Sequence, residues 1–489
     1  MIVEGAYPYV AGGVSSWIHD LITHLSEFNF SLAVLLSKKD QRGEIKYDLP
    51  SNITEIKEIF LHDGDLPSGS AGRLPRTAWH DVANFHDHSF GIEKLKSFES
   101  IYRRFFQPDS RGLAPDQIYS AKEAWDILRD LYEARAGNES FIDYFWNFRF
   151  IHQSIFKVMS ADPPDAAVYH ALSTGYAGLL GVIAKLKHDR PLLLTEHGIY
   201  SRERKLEIGR ADWIYEASPD GINIRQAQSH FKNLWSNMFS TLGRVCYDYA
   251  DLIITLSRGN QLLQIEDGAD PNKMMVIPNG VDVDAFSKIQ KQPQNDGELT
   301  LGFMGRVVDI KDVKTFIRAC RLVADEVGGL QVMIMGPTDE DESYFEGCVK
   351  LTEQLGLQKT IHFTGEVDAR SHYPQIDILV LTSLNEAQPL VILEANAMGI
   401  PVVATDVGAC REMLCGSTPG DQLLGKSGLV AGVAQAKDIA TAILTIWKSA
   451  ELRQEMANAG RKRAARYYNR HALDDQYRDI YQQYILKSC

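Results

Sequence analysis

No apolar run in this sequence reaches the roughly 18 residues that a membrane-crossing helix needs, and the N-terminus lacks the basic, apolar and small-residue succession of a secretory signal. A cytoplasmic chain is therefore expected. The six cysteines (Cys246, Cys320, Cys348, Cys410, Cys415, Cys489) include no C-x2-C pair, which argues against a zinc site or a disulfide framework and fits a reducing compartment. No basic stripe offsets the formal net charge of -13, so nucleic acid is not expected as a partner. None of the Asp-x-Asp pairs has the setting of a metal site, and no metal is expected. Internal repeats and low-complexity tracts are missing as well.

What remains is an ordinary globular composition, 45 % apolar and 24 % charged, in 489 residues. One hydrophobic core seldom serves so long a chain, and two domains of roughly 200 residues each are the natural division. The chain opens with a short strand, Met1 to Val3, and the pair Gly12-Gly13. A helix follows with Val14, Trp17, Ile18, Leu21, Ile22 and Leu25 on one face, then the buried strand Phe30 to Leu36. From about 61 to 165 the aromatic and charged pattern predicts a helical insertion. Strands are expected again at Ala166 to Tyr169, Leu192 to Thr195 and Leu252 to Leu256, with a helix from Tyr176 to Leu186. The polar stretch Lys288 to Glu298 reads as the linker, which closes a first domain at 1–290. In 291–470 strands and helices alternate, the pattern of a parallel sheet covered on both faces, so the fold class is α/β. A last helix, 471–489, ends the chain.

Four constellations carry chemistry. Gly12-Gly13 precedes a helix, where close backbone approach and free N–H groups suit a phosphate, although an ordinary glycine turn has the same look. Gly305-Arg306 with Lys311 follows the strand Leu299 to Met304, at the sheet edge where open parallel sheets bind ligands. Two cations five residues apart can reach one diphosphate; the alternative is a solvated pair. Glu386 lies in the loop after another buried strand and Glu394 in the helix that follows Pro389; carboxylates of this kind suit hydroxyl-rich ligands. The small neighbours Ala395, Ala397 and Gly399 speak against a merely solvated face for Glu394. His197, in Thr195-Glu196-His197-Gly198, ends a strand and could hydrogen-bond a sugar or serve as a structural donor. The neighbouring Arg202, Glu203, Arg204 and Lys205 read as a charged surface turn.

These residues resemble glycosyltransferase family 4, and within it the cytoplasmic transferases of Pel exopolysaccharide synthesis. The likeness spans nearly the whole chain. Its carriers are the run from Glu4 to Tyr9, Gly12 to Trp17, Thr195 to Tyr200, Ile277-Pro278-Asn279-Gly280-Val281-Asp282, Gly305-Arg306, Lys311-Asp312 and Glu386 to Glu394. The resemblance implies a GT-B fold, two Rossmann-like domains facing across a cleft, with the last helix returning onto the first domain. It also implies metal-independent sugar transfer with retention at the anomeric carbon. Arg306 and Lys311 would hold the diphosphate, Glu394 the ribose and Glu386 the donor sugar. His197 would lie beside that sugar, Asn279 would belong to the donor site, and Gly12 and Gly13 would close over the phosphates. The implied donor is a UDP-sugar, usually UDP-glucose, and the acceptor a growing polysaccharide, with an inner-membrane synthesis complex as partner. The family's first strand is several residues longer than Met1 to Val3, so either the chain starts inside that strand or the edge is short here. Two alternatives stay open: a nucleotide-sugar-binding scaffold or sensor without turnover, and a GT-B epimerase or hydrolase.

Overall fold

The computed structural model describes residues 1–5, 7–63, 76–86, 92–106, 116, 121–136, 139–210, 230–289 and 297–488. Ala6, parts of the 61–165 insertion and most of the Lys288 to Glu298 stretch lie outside the described residues. The chain forms two compact units. The first comprises Met1–Ile254, Leu263–Met275 and Asp479–Cys489, and the second Thr255–Leu262 and Val276–Arg478. Residues 276–289 thus group with the second unit, ahead of the polar stretch read as the linker. The Asn279 N–H donates to Gln388, and Val281 exchanges backbone hydrogen bonds with Tyr468 and Arg470.

The first unit holds a seven-stranded sheet in the order β3-β2-β1-β4-β5-β6-β7. Its strands are β1 (Ile2–Glu4), β2 (Phe30–Leu36), β3 (Ile53–Phe60), β4 (Tyr169–Ala171), β5 (Leu192–Glu196), β6 (Leu252–Thr255) and β7 (Met274–Val276). β1 pairs in parallel with β2 and β4, with Val3 opposite Val34. Helix Gly13–His24 forms where the periodicity predicts it, with Ser15, Ile18, Leu21 and Ile22 buried. The helices Arg76–Phe85, Ile92–Phe105, Lys122–Arg135 and Phe141–Met159 form the described part of the insertion. Phe98, Tyr102, Tyr144 and Phe156 share one apolar core with Ala33 and Leu35 of β2, so the insertion is packed into this unit.

The second unit holds a six-stranded parallel sheet in the order β10-β9-β8-β11-β12-β13. Its strands are β8 (Glu298–Met304), β9 (Gly329–Met335), β10 (Ile361–Gly365), β11 (Ile378–Leu381), β12 (Val402–Thr405) and β13 (Gly428–Ala431). Strand β11 is apolar throughout because both faces are covered. Ile378 and Val380 join one core cluster, Leu379 and Leu381 the other, as the two-residue period of a strand requires. Among the described residues no helix is long and apolar enough to cross a membrane.

Several boundaries differ from the sequence reading. The strand expected at Ala166 to Tyr169 lies at Tyr169–Ala171, and β3, β7 and β13 were not anticipated. Arg202 to Lys205 are not a surface turn but part of helix Tyr200–Arg210. The Arg202 guanidinium binds Asp267 at 3.0 Å and Glu266 at 2.9 Å, and that of Arg204 lies 4.9 Å from the Tyr200 ring centre.

Two histidines of the first unit are fully buried, which sets an acid limit on its stability. His170 Nδ1 is hydrogen-bonded to the Tyr481 hydroxyl at 2.7 Å and its Nε2 to Thr195 Oγ1 at 2.8 Å. Burial lowers His170 from about 6.5 to about 3 and His152 to about 4. Below pH 6.5 the unfolded chain takes up these protons and the folded chain does not, so stability rises with pH through this window and is lost as pH falls. Linkage gives about 2 kcal/mol for each imidazole between pH 7.5 and 5. The raised carboxyls of Glu4 and Glu196 act in the opposite sense, so the test is the difference between variants: His170→Gln is expected to lose part of the acid-side fall in melting temperature, and an unchanged pH dependence in that variant would contradict the assignment.

Candidate functional site

In the second sheet the chain runs from β8 outward through β9 to β10, then returns to the other side of β8 to form β11. The loops leaving β8 and β11 therefore part in opposite directions, and an open parallel sheet binds ligands at such a point. Both loops are tightly set. The Leu384 N–H donates to Ile310 O at 2.8 Å, and Thr382 Oγ1 donates to the carbonyls of Lys311 and Asp312. Asp312, at φ +45°, caps helix Val313–Ala324 through the Thr315 N–H.

This scaffold brings Lys311 and Glu386 together. The Lys311 ammonium donates to Glu386 Oε1, which also accepts from Ser383 Oγ at 2.7 Å. The side chains are only 18 % and 13 % exposed. The carboxylate's loop is held from behind by Ala409 N–H to Ala387 O and by Thr405 Oγ1 to Ser383 O. Gly408, at φ +49°, passes so close that a Cβ there would stand 1.8 Å from Glu386 O, so the loop's path depends on glycine. Asn279 is brought to the same loop, its N–H donating to Gln388 Oε1 at 2.6 Å while Gln388 Nε2 reaches Leu256 O. Asn279 Oδ1 is buried and meets no hydrogen-bond donor among the described residues.

Arg306 stands on the same β8 loop but faces another partner, Glu340 in the loop after β9, and both side chains are about half exposed. The β8 and β9 loops run in backbone contact, with a Cβ on Gly336 placed 2.2 Å from Gly305 O. Glu394, in helix Leu390–Met398, accepts from the Tyr373 hydroxyl at 2.5 Å. Burial raises its carboxyl above the usual range, against the Tyr373 hydrogen bond and the nearby Arg370 charge. Glu340, Tyr373 and Arg370 escaped the sequence reading. Glu340 alone left a signal, since it follows a strand at the same edge.

In the first unit the loops after β1, β4 and β5 gather at one edge. Glu4, ending β1, accepts the Tyr176 N–H at 2.9 Å at the start of helix Tyr176–His188, and it accepts the Tyr200 hydroxyl. Burial raises its carboxyl. Gly12 caps helix Gly13–His24 without a side-chain hydrogen bond, and a Cβ on Gly12 or Gly13 would meet nothing within 4 Å. The fold itself therefore leaves room for side chains at both positions. The glycines keep the helix start open toward whatever lies outside it. His197 packs edge-on against Trp17 of that helix, ring centres 4.6 Å apart, so the structure joins these two expected elements. Beneath His197, Glu196 is fully buried and accepts from Tyr247, Gln264, Thr174 and the Tyr200 N–H. Burial is the main cause of its raised carboxyl.

Residues 1–272, more than half of the chain, match a family described as a domain of unknown function, DUF3492. Residues 284–463 match the family described as glycosyl transferases group 1. A D-inositol 3-phosphate glycosyltransferase of Thermomonospora curvata is 27 % identical over 339 residues, 65 % of this chain and 72 % of that one. Over other relatives of that name the chain spans about half their length. Anabaena HepE in complex with UDP superposes with a TM-score of 0.57 at 15 % identity, covering 99 % of both chains. Sucrose-phosphate synthase of Thermosynechococcus elongatus gives 0.58 at 16 % identity, covering 99 % of this chain and 98 % of that one. At such identities the likeness speaks for the fold, two Rossmann-like halves of the GT-B type. The chain belongs to the DUF3492 family through its first 272 residues, and residues 284–463 match the group 1 glycosyl transferases.

Proposed function

We propose that the chain is a retaining glycosyltransferase that takes a sugar from a UDP-sugar, UDP-glucose first, and passes it to a growing exopolysaccharide or related glycan, as the PelF proteins of Pel synthesis do. The observation that carries this reading is the Lys311–Glu386 pair, set at the point where the loops after β8 and β11 part. Cation and carboxylate side by side suit a donor that is anionic at its diphosphate and hydroxyl-rich at its sugar. Support also comes from HepE, captured with UDP and with UDP-glucose on the same fold.

In this reading Lys311 and Arg306 neutralise the diphosphate, Arg306 exchanging Glu340 for phosphate oxygens. Glu386 accepts sugar hydroxyls, Glu394 the ribose hydroxyls, and Asn279 steadies the Glu386 loop. The bond from the sugar C1 to the diphosphate oxygen breaks with its electron pair going to that oxygen. The acceptor oxygen bonds C1 on the same face, and its proton passes to the departing phosphate. Charge neutralisation by fixed cations is the main catalytic effect, so no divalent cation is needed. His197, which belongs to the first unit, takes part in transfer. The enzyme works in the cytoplasm, where it can dock on an inner-membrane synthesis complex.

UDP release from UDP-glucose, followed with EDTA present, tests the proposal. Release is expected to depend on a glycan acceptor. Release that ignores acceptor would point to a hydrolase, and UDP binding without turnover under any acceptor to a sensor or scaffold. His197→Ala is expected to lower transfer about a hundredfold while UDP affinity holds within about threefold. A parallel loss of UDP affinity would give His197 a merely structural part.

A further inference from the structure

The first unit contains a second concave site, a cavity of about 640 Å³ between helices Ile92–Phe105, Lys122–Arg135, Phe141–Met159 and His230–Tyr249. None of its lining residues belongs to the Gly12-Gly13 helix, to the Thr195 to Gly198 turn or to β1. Its described charged lining is mainly basic. Against 64 acidic and 51 basic residues overall, the wall carries among the described residues Lys94, Arg135 and Arg244, the last held by Asp248 at 3.1 Å, and one carboxylate, Asp267. That carboxylate is already met by Arg202 at 3.0 Å and by Ser201 Oγ at 3.4 Å. Lys94 is a buried ammonium lying 5.5 Å from the Phe85 ring centre. A cavity so lined disfavours cations and neutral sugars and favours an anion.

Two further walls narrow the anion's chemistry. One is aromatic: His152 stacks on Phe148 with ring centres 3.9 Å apart, and His86 lies 4.8 Å from His152. Burial holds His152 at about 4 and His86 well below its usual range, so both present neutral rings at pH 7. The other wall is a polar stripe on helix His230–Tyr249, where Asn233, Asn237, Ser240 and Thr241 recur at helical spacing and face the cavity. Carboxamides offer a donor and an acceptor side by side, the pattern of a nucleobase edge. The volume falls within the range of about 300 to 1,000 Å³ typical of small-molecule sites, too small for a polysaccharide chain.

We propose that this cavity is a second small-molecule site that binds a nucleoside phosphate, its phosphates on Lys94, Arg135 and Arg244 and its base between the aromatic wall and the Asn233–Asn237 stripe. The site is separate from the donor site of the second unit, and binding there tightens the helical insertion on helix His230–Tyr249.

Calorimetry with AMP, GMP and inorganic pyrophosphate on the full chain tests this, with Lys311→Ala present to weaken the donor site. At least one nucleotide is expected to bind equally well with and without Lys311→Ala, about tenfold more weakly to Arg135→Gln, and about tenfold more tightly than pyrophosphate. In the unaltered chain that nucleotide should slow hydrogen exchange in 141–159 and 230–249. Absence of heat and protection with both nucleotides, affinity unchanged by Arg135→Gln, or pyrophosphate binding as tight as the nucleotide would each overturn the proposal.

Discussion

Replacing Lys311 by Ala is expected to weaken UDP binding about 10- to 100-fold and to slow transfer about 10²- to 10³-fold. The ammonium is mostly enclosed and its partner Glu386 is more so, hence the interaction is little screened by water. In the variant Glu386 keeps Ser383 Oγ but loses its cation, and a diphosphate would then face an unbalanced carboxylate. The loss should therefore exceed that of removing Lys311 and Glu386 together, which a double-mutant cycle on UDP affinity measures. Lys311→Arg keeps the charge and should recover UDP binding in part. If Lys311→Ala bound UDP as the unaltered chain does, the lysine would serve only as the counter-ion of Glu386, and the donor site would have to be sought elsewhere.

The largest expected effect on stability lies away from the site. Arg463 and Asp421 are both 0 % exposed. Arg463 Nε donates to Asp421 Oδ1 at 2.7 Å, and its other nitrogens reach the carbonyls of Leu414, Gly425 and Asp421. The second Asp421 oxygen accepts the Ser417 N–H at 3.0 Å. Arg463→Met would leave a buried carboxylate without its cation and several carbonyls without donors, at a cost of about 3 to 5 kcal/mol. Urea unfolding should show a lowered midpoint, and adding Asp421→Leu should restore much of the loss because no charge then stays buried. A cost below about 1 kcal/mol would mean that water reaches the pair.

The elements that could be read from the amino-acid order are those whose local pattern and final environment coincide. Phe30 to Leu36 is apolar but for Ser31 because β2 lies between β1 and β3, and the run and the strand have the same ends. Ile53–Phe60 is the edge strand β3, with Glu55, Lys57 and Glu58 among its residues, and so lacks such a run. β4 was placed three residues early because His170 reads as polar, yet Tyr481 and Thr195 satisfy both its nitrogens and let it be buried. Helix Tyr200–Arg210 carries Arg, Glu and Lys in place of an apolar stripe, with Arg202 paired to Asp267 and Glu266 of a distant segment and Arg204 to Glu207 of its own helix.

The same division runs through the candidate site. That Arg306, Lys311, Glu386 and His197 end or follow strands is written in local periodicity, which depends on neighbours a few residues away. That Lys311 meets Glu386 across 75 positions while Arg306 turns to Glu340, and that Tyr373 holds Glu394, follows from strand order and loop packing. Strand order is set by the global burial of apolar surface, a sum over the whole chain that no short stretch of residues contains. Chemistry-bearing residue types were therefore visible one at a time, whereas their partners came into being only with the folded sheet.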